Sequence, residues 1–169
     1  TLLQSGHCGE ALPLLRGALA DELATTGGKP SNGIGEAHDS LGRCLLVQGD
    51  TRAALEAFQN AEAQFTQTLG AEDRRTLRSR IHRQWALHVQ APTPQTLAAL
   101  ASSRTQLVKV LGSEETPVIW QLDLLLDGLS GKAGTTRLSP ERRRQIEQAL
   151  AKEAASPQAP RFVGLNSFS

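Results

Sequence analysis

The sequence predicts an all-α protein built from stacked helix pairs, and three observations support this. Long segments are rich in Ala, Leu, Gln, Arg and Glu, which are good helix formers, and they contain few β-branched runs. Clusters of Gly and Pro separate these segments at intervals of a typical helix length. The chain also resembles itself when it is shifted by about 42 or 43 residues, which is typical of a repeat protein.

We expect helices along most of the chain, joined by turns at the Gly- and Pro-rich stretches. Their predicted ranges are 9–25, 35–48, 51–69, 73–89, 94–111, 116–129 and 140–155. Asp50 precedes the third helix as an N-cap, and Ser139 precedes the last helix with Pro140 in its first turn. Gly70 and Gly112 each follow a leucine at a helix end and are expected to be left-handed C-caps.

The internal repetition gives the helices a common plan. A shift of about 43 residues aligns five pairs of similar residues: Leu2 with Leu45, Gly6 with Gly49, Ala11 with Ala54, Leu15 with Phe58, and Ala18 with Ala61. A shift of about 42 residues aligns Leu69 and Gly70 with Leu111 and Gly112. The chain is therefore predicted to repeat one helix pair, with the leading helix of the first pair mostly missing.

The stretch LGRCLLVQGDTRAALEAFQNA, at residues 41–61, resembles a tetratricopeptide repeat (TPR). The residues at the positions typical of that family are Leu41, Gly42, Leu45, Gly49, Ala54, Phe58 and Ala61. The segments LGAEDRRTL and LGSEETPVI are similar to the lengthened repeats, of about 42 residues, of kinesin-light-chain-like arrays. In this interpretation the small residues are points where helices approach closely, and the neighbouring repeat fills the missing volume.

The resemblance implies a right-handed α-solenoid of about three TPR-like repeats plus a C-terminal capping helix. Repeats are expected over residues 1–129, divided approximately into 1–34, 35–72, 73–115 and a further helix at 116–129. Residues 130–155 form a loop and the capping helix, and residues 156–169 form a tail.

In such arrays the first helix of each pair lines a concave wall that holds a peptide or a partner helix. The resemblance places Glu36, Asp39, Arg43 and Leu46 on this wall. Helical geometry adds neighbours from the following first helices. The candidate partner-binding residues are Asp39, Arg43, Leu46, Arg75, Arg78, His82, Trp85, Trp120, Asp123 and Asp127.

Two interpretations of this group remain open. In the first, Arg78, His82 and Trp85 bind an acidic peptide or a C-terminal carboxylate through guanidinium groups and an aromatic surface. In the second, Trp85 is a core residue and the arginines are solvated or pair with neighbouring acids. Asp123 and Asp127 share a helix face and are possible acidic neighbours of Arg78.

Composition and motifs exclude several functions. The net charge of +1 gives no overall attraction to nucleic acid, so no direct nucleic-acid partner is expected. The leucine-rich stretch VIWQLDLLLDGL is too short for a membrane span and contains two aspartates, so no membrane insertion is expected. The chain has no P-loop, HExxH, CxxC or nucleophile-elbow pattern. We therefore expect no enzyme, no catalytic residue, no metal site and no cofactor.

The spacing of the two cysteines does not indicate a metal site or a disulfide framework. Cys8 and Cys44 are far apart in sequence and belong to no CxxC or His/Cys cluster. We expect them to be isolated thiols that behave as small buried apolar residues.

These features favour a protein-interaction scaffold: an adaptor or regulatory region of a larger, bacterial signalling or regulatory protein, located in the cytoplasm, or in the periplasm if a membrane segment lies upstream. The alternative is an effector domain that senses a peptide or small ligand and switches an attached kinase or DNA-binding domain. Self-association through Leu12, Leu15 and Leu19 of the truncated first repeat is a further possibility.

Overall fold

The regular secondary structure of the computed structural model, which describes residues 7–131 and 138–155, is α-helical. The helices are α1 (Cys8–Thr26), α2 (Asn32–Val47), α3 (Thr51–Leu69), α4 (Arg74–Gln90), α5 (Pro94–Leu111), α6 (Pro117–Gly131) and α7 (Pro140–Ala155). The predicted all-α class is confirmed, and the predicted ranges of α3, α5 and α7 agree with the structure at both ends. In these described ranges, no helix combines the length and apolar character needed to span a membrane.

The helix ends follow from local capping. The side chains of Asp50 and Ser139 accept hydrogen bonds from backbone N–H groups of the following turn, at 3.2 and 3.1 Å, as predicted. Helix α2 begins earlier than predicted because Ser31, with an extended backbone, accepts a hydrogen bond from the third residue after it. Gly112 is a left-handed C-cap, as predicted. Gly70 has a φ of 94° but a ψ of 163°, so the prediction of a left-handed helical cap is wrong there.

The helices pack in chain order. Each helix contacts the next one along the chain, and α2 also contacts α4. The connections between α1 and α6 are short, at residues 27–31, 48–50, 70–73, 91–93 and 112–116, which favours antiparallel neighbours. The main core contains Leu46, Ala54, Phe58, Leu77, Ile81, Trp85, Ala86, Leu100, Leu107, Ile119, Leu122 and Leu126.

Small residues allow α2 and α3 to approach closely. Ala54 and Ala61 are fully buried, and a Cβ atom added to Gly42 would lie 2.5 Å from Cε1 of Phe58. Gly35, about two helical turns earlier, would meet the ring of Phe65 in the same way, at 2.8 Å. The phenylalanine rings therefore occupy the space that the missing side chains leave, and the predicted close approach at Gly42 is confirmed. The ring that fills the space at Gly42 belongs to the same predicted repeat, 35–72, and not to a neighbouring one as predicted.

The two cysteines form a disulfide bond, so the prediction of isolated thiols is wrong. Cys8 begins α1, Cys44 lies in the last turn of α2, and their Cα atoms are 5.2 Å apart. Both are buried, as predicted, and they cluster with Leu12, Leu41 and Ala57. The pairing is decided by the fold because α1 packs back along α2 and brings the two side chains within bonding distance.

Parts of the predicted organisation lie outside the described residues. These are the tail at 156–169, the start of the first repeat at 1–6 and the segment 132–137 before the capping helix. The division of the chain into repeats stays a prediction.

Candidate interaction site

Helix α4 has a buried apolar face. Leu77, Ile81 and Trp85 belong to the main core. The Trp85 ring stacks on that of His88 with centroids 6.3 Å apart, and Nδ1 of His88 lies 2.7 Å from the Thr96 hydroxyl. Trp85 is therefore a core residue, and its ring is too buried to contact a partner.

A buried carboxylate, that of Asp39, links α2 to α4. Its Oδ1 accepts hydrogen bonds from the Ser79 hydroxyl and from Nδ1 of His82, both at 2.9 Å. Its Oδ2 lies 3.4 Å from Nε of Arg43 and 3.7 Å from Nε of Arg78. Four sequence-predicted site residues, Asp39, Arg43, Arg78 and His82, are therefore brought together, and Ser79 joins them.

Charge keeps Asp39 ionised despite its burial. Desolvation by itself raises the pKa of this carboxyl, but the neighbouring His82, Arg78 and Arg43 outweigh it and hold the pKa well below the usual range. Burial also lowers the pKa of Arg43, against the opposing attraction of Asp39. At neutral pH the cluster therefore contains an ionised Asp39 carboxylate next to the guanidinium groups of Arg43 and Arg78.

The positive charge of this cluster is compensated. Nη2 of Arg78 donates to Oε2 of Glu36 at 2.9 Å, and the Glu36 side chain is 42% exposed. Two carboxylates, Glu36 and Asp39, thus face two guanidinium groups, Arg43 and Arg78. This arrangement joins α2 to α4 and leaves little net charge to attract an acidic ligand.

The Ser79, His82 and Asp39 side chains do not have the order of a nucleophile triad. In such a triad the imidazole lies between the serine and the carboxylate and takes the serine proton. Here Ser79 and His82 both donate to the same oxygen of Asp39, and all three side chains are buried. These hydrogen bonds hold α4 against α2 and do not form a nucleophile triad.

A second charged cluster lies where α3 meets α4. Glu62 accepts hydrogen bonds from Nε of Arg80 at 2.9 Å and from Nε of Arg83 at 2.6 Å. Burial opposes ionisation of Glu62, but hydrogen bonds from Arg83 and Arg80 prevail and lower its pKa. Two guanidinium groups on one carboxylate leave a local excess of one positive charge.

This second cluster borders a solvent-open groove of about 460 Å³. The residues lining the groove are Gln59, Glu62, Ala63, Thr66, Gln67 and Arg83. Nη1 of Arg80 also donates to the Gln106 side chain of α5, at 3.4 Å. Sequence reasoning missed this groove; the pair Arg80 and Arg83, one turn apart beside the apolar face of α4, was the available signal.

The other predicted site residues lie apart from the Asp39 cluster. Nε of Arg75 lies 3.6 Å from the N-cap carboxylate Asp73. Leu46 is a core residue, and half-buried Trp120 donates from Nε1 to Glu115 at 3.2 Å.

Helix α6 does not supply the acidic neighbours suggested for Arg78. Asp123 pairs with Arg104 of α5, with Oδ2 3.0 Å from Nη2. Asp127 is buried, pairs with Arg143 of α7 and accepts a hydrogen bond from the backbone of Leu138 at 3.1 Å. The Arg78 pairing with Glu36 and Asp39 arises because α4 stacks against α2.

The sequence was also compared with known proteins. No protein-family model matches it, and no curated protein matches it.

Proposed function

We propose that the chain is a TPR-type protein–protein interaction scaffold that serves as an adaptor or regulatory region of a larger signalling protein. The observation that carries the proposal is the serial packing of the helices, in which each helix contacts its neighbours in chain order. Proteins packed in this way have a large surface for their length and commonly use it to hold peptides or other proteins.

Within this proposal, the groove bordered by Glu62 and Arg83 is the best-supported contact surface. The Asp39 cluster is charge-compensated, and His82 and Trp85 are buried, so that cluster offers a partner little. The cluster of Arg80, Glu62 and Arg83 at the edge of the groove has one excess positive charge. The glutamine and threonine side chains of the groove are able to donate and accept hydrogen bonds. An acidic segment of an extended polypeptide matches this chemistry.

The open form of the groove favours a peptide occupant over a small molecule. Small-molecule sites enclose most of their ligand in a concave and mainly apolar cavity. This groove is open to solvent and would not enclose a small ligand. The scaffold is therefore preferred to a domain that senses a small ligand.

The test uses the immobilised chain to capture partners from cells of its source, followed by quantitative mass spectrometry. The key variant is Arg83→Gln, which keeps side-chain length but removes the excess charge. Arg52→Gln, an exposed position elsewhere on α3, is the matched control. We expect captured partners to bind Arg83→Gln about tenfold more weakly or worse, since a charge-assisted hydrogen bond is lost, and to bind the control normally.

Other results would count against specific parts of the proposal. Equal capture of partners by the wild type, Arg83→Gln and Arg52→Gln would exclude the groove as the binding site. Selective loss of capture with a further variant, Arg78→Gln, would favour the Asp39 cluster as the binding site. Capture no better than that of bare resin would overturn the scaffold itself.

A further inference from the structure

Helix α1 is joined to α2 at both ends, by a disulfide bond at one end and by the polypeptide chain at the other. Its first residue, Cys8, is bonded to Cys44 in the last turn of α2. At its other end the loop 27–31 connects α1 to the start of α2. Helices α1 and α2 form a hairpin: the loop joins them at one end, and the disulfide joins them at the opposite end.

The sequence of α1 forms a weak helix. Gly9 and Gly17 are inside it, and glycine loses more conformational entropy in a helix than other residues. Pro13 lies beyond the first turn and cannot donate a backbone hydrogen bond to the residue four before it. The helix must therefore be held in place by tertiary contacts.

The fully buried residues of α1 are few and lie close to the disulfide, and further along the helix Leu15 and Leu19 pack half-buried against the same cluster. Among the residues of α1 only Cys8, Ala11 and Leu12 are buried, whereas Leu14 is 61% exposed and Leu23 is 41% exposed. The buried residues belong to a small cluster around the two cysteines, and the main core contains no residue of α1. The disulfide thus lies at the end of α1 where the fully buried contacts are concentrated.

We infer that the Cys8–Cys44 disulfide is a redox-controlled clasp that decides whether α1 stays docked on α2. In the oxidised chain α1 covers Leu41 of α2 and Ala57 of α3. In the reduced chain α1 detaches from the array and remains connected only through the loop 27–31. Detachment uncovers the apolar surface around Leu41, while the main core keeps its packing.

The reductant is an external dithiol. Its thiolate attacks the sulfur of Cys8, which is slightly less buried than Cys44; the S–S bond breaks and Cys44 leaves as a thiolate that takes a proton. The second thiol of the reductant then displaces Cys8 and forms the reductant's own disulfide. Two electrons and two protons pass from the dithiol to the protein, and the reaction runs in reverse on reoxidation.

The test is hydrogen–deuterium exchange of the oxidised chain before and after treatment with dithiothreitol, with intact mass confirming each redox state. We expect amides of α1 to exchange on the order of 100-fold faster after reduction, since the constraint on its opening is lost. Amides of α3, α4 and α5 are expected to keep their rates. The Cys8→Ala/Cys44→Ala variant should match the reduced wild type and should not respond to dithiothreitol.

Three results would overturn the inference. The first is unchanged exchange of α1 after complete reduction. The second is accelerated exchange of all helices together, which would make the disulfide a support of the whole fold. The third is a chain whose two cysteines stay as free thiols under oxidising conditions.

Discussion

Individual residues set the distance between helices in this protein. Gly42 faces the ring of Phe58, which is fully buried. By contrast, Gly17 lies on α1 with no atom within 4 Å of the position that a Cβ atom would take. A side chain at position 42 would therefore collide with Phe58, whereas one at position 17 would have space.

The substitution Gly42→Ala is expected to lower the free energy of unfolding by about 1 to 2 kcal/mol, because the cost of overpacking exceeds the gain in helix propensity. Gly17→Ala is expected to raise it by about 0.5 to 1 kcal/mol, because only the propensity changes. Urea unfolding followed by circular dichroism measures both. Equal effects of the two substitutions would show that Phe58 does not limit the approach of α2 and α3.

The site residues were predictable in part. Asp39, Arg43, Arg78 and His82 were identified from sequence, and the fold brings them together. The burial of Asp39 and His82 was not predictable, because it depends on how closely α4 packs on α2. Glu62 was missed for a similar reason, since its partner arginines lie on the next helix and are identified only when α3 and α4 are in contact.

Helix ends are the features that local sequence determines most directly. Thr93 caps α5: its hydroxyl accepts a hydrogen bond from the backbone N–H of Thr96, while the Thr96 hydroxyl accepts one from the backbone N–H of Thr93. Pro94 occupies the first turn, where no backbone donor is required. The predicted start of α5 at residue 94 agrees with the structure for this reason.

The substitution Thr93→Ala is expected to lower the free energy of unfolding by about 1 kcal/mol, since it removes the cap of α5. Thr105→Ala is the matched control on the same helix, because the exposed Thr105 hydroxyl bonds only to the carbonyl of Ala101 in its own helix. The control is expected to change stability by less than about 0.5 kcal/mol. Thermal and urea unfolding check both, and similar losses would contradict a capping role for Thr93.

Across the whole molecule, ion pairs connect different helices. Asp39 joins α2 to α4, Glu62 joins α3 to α4, and Asp123 joins α6 to α5. The pKa values of Asp39 and Glu62 are lower in the folded chain than the usual carboxyl values. Each therefore stabilises the fold while it is ionised, above its unfolded pKa of about 4, and the contribution is lost as the pH falls below that value.

We therefore expect the free energy of unfolding to decrease as the pH falls below about 5, with Asp39 contributing a large part of the decrease. Asp39→Asn should lower the free energy of unfolding by about 3 kcal/mol at pH 7, because its buried partners lose the negative charge that they face. It should also make the free energy of unfolding fall less steeply in acid. Glu36→Gln, at a partly exposed carboxylate of the same cluster, should cost less than about 1 kcal/mol. Urea unfolding across the pH range measures this, and parallel curves for wild type and Asp39→Asn would contradict the assignment.

The sequence by itself determined the helical class, most helix boundaries and the close approach at Gly42, because caps, propensities and periodicity act within a few residues of one another. Only the tertiary structure decided the disulfide between Cys8 and Cys44, which are 36 residues apart, and the bond between Asp39 and His82, which are 43 apart. Such pairs form only where helices stack, and the angle and depth of stacking depend on the whole set of packed side chains.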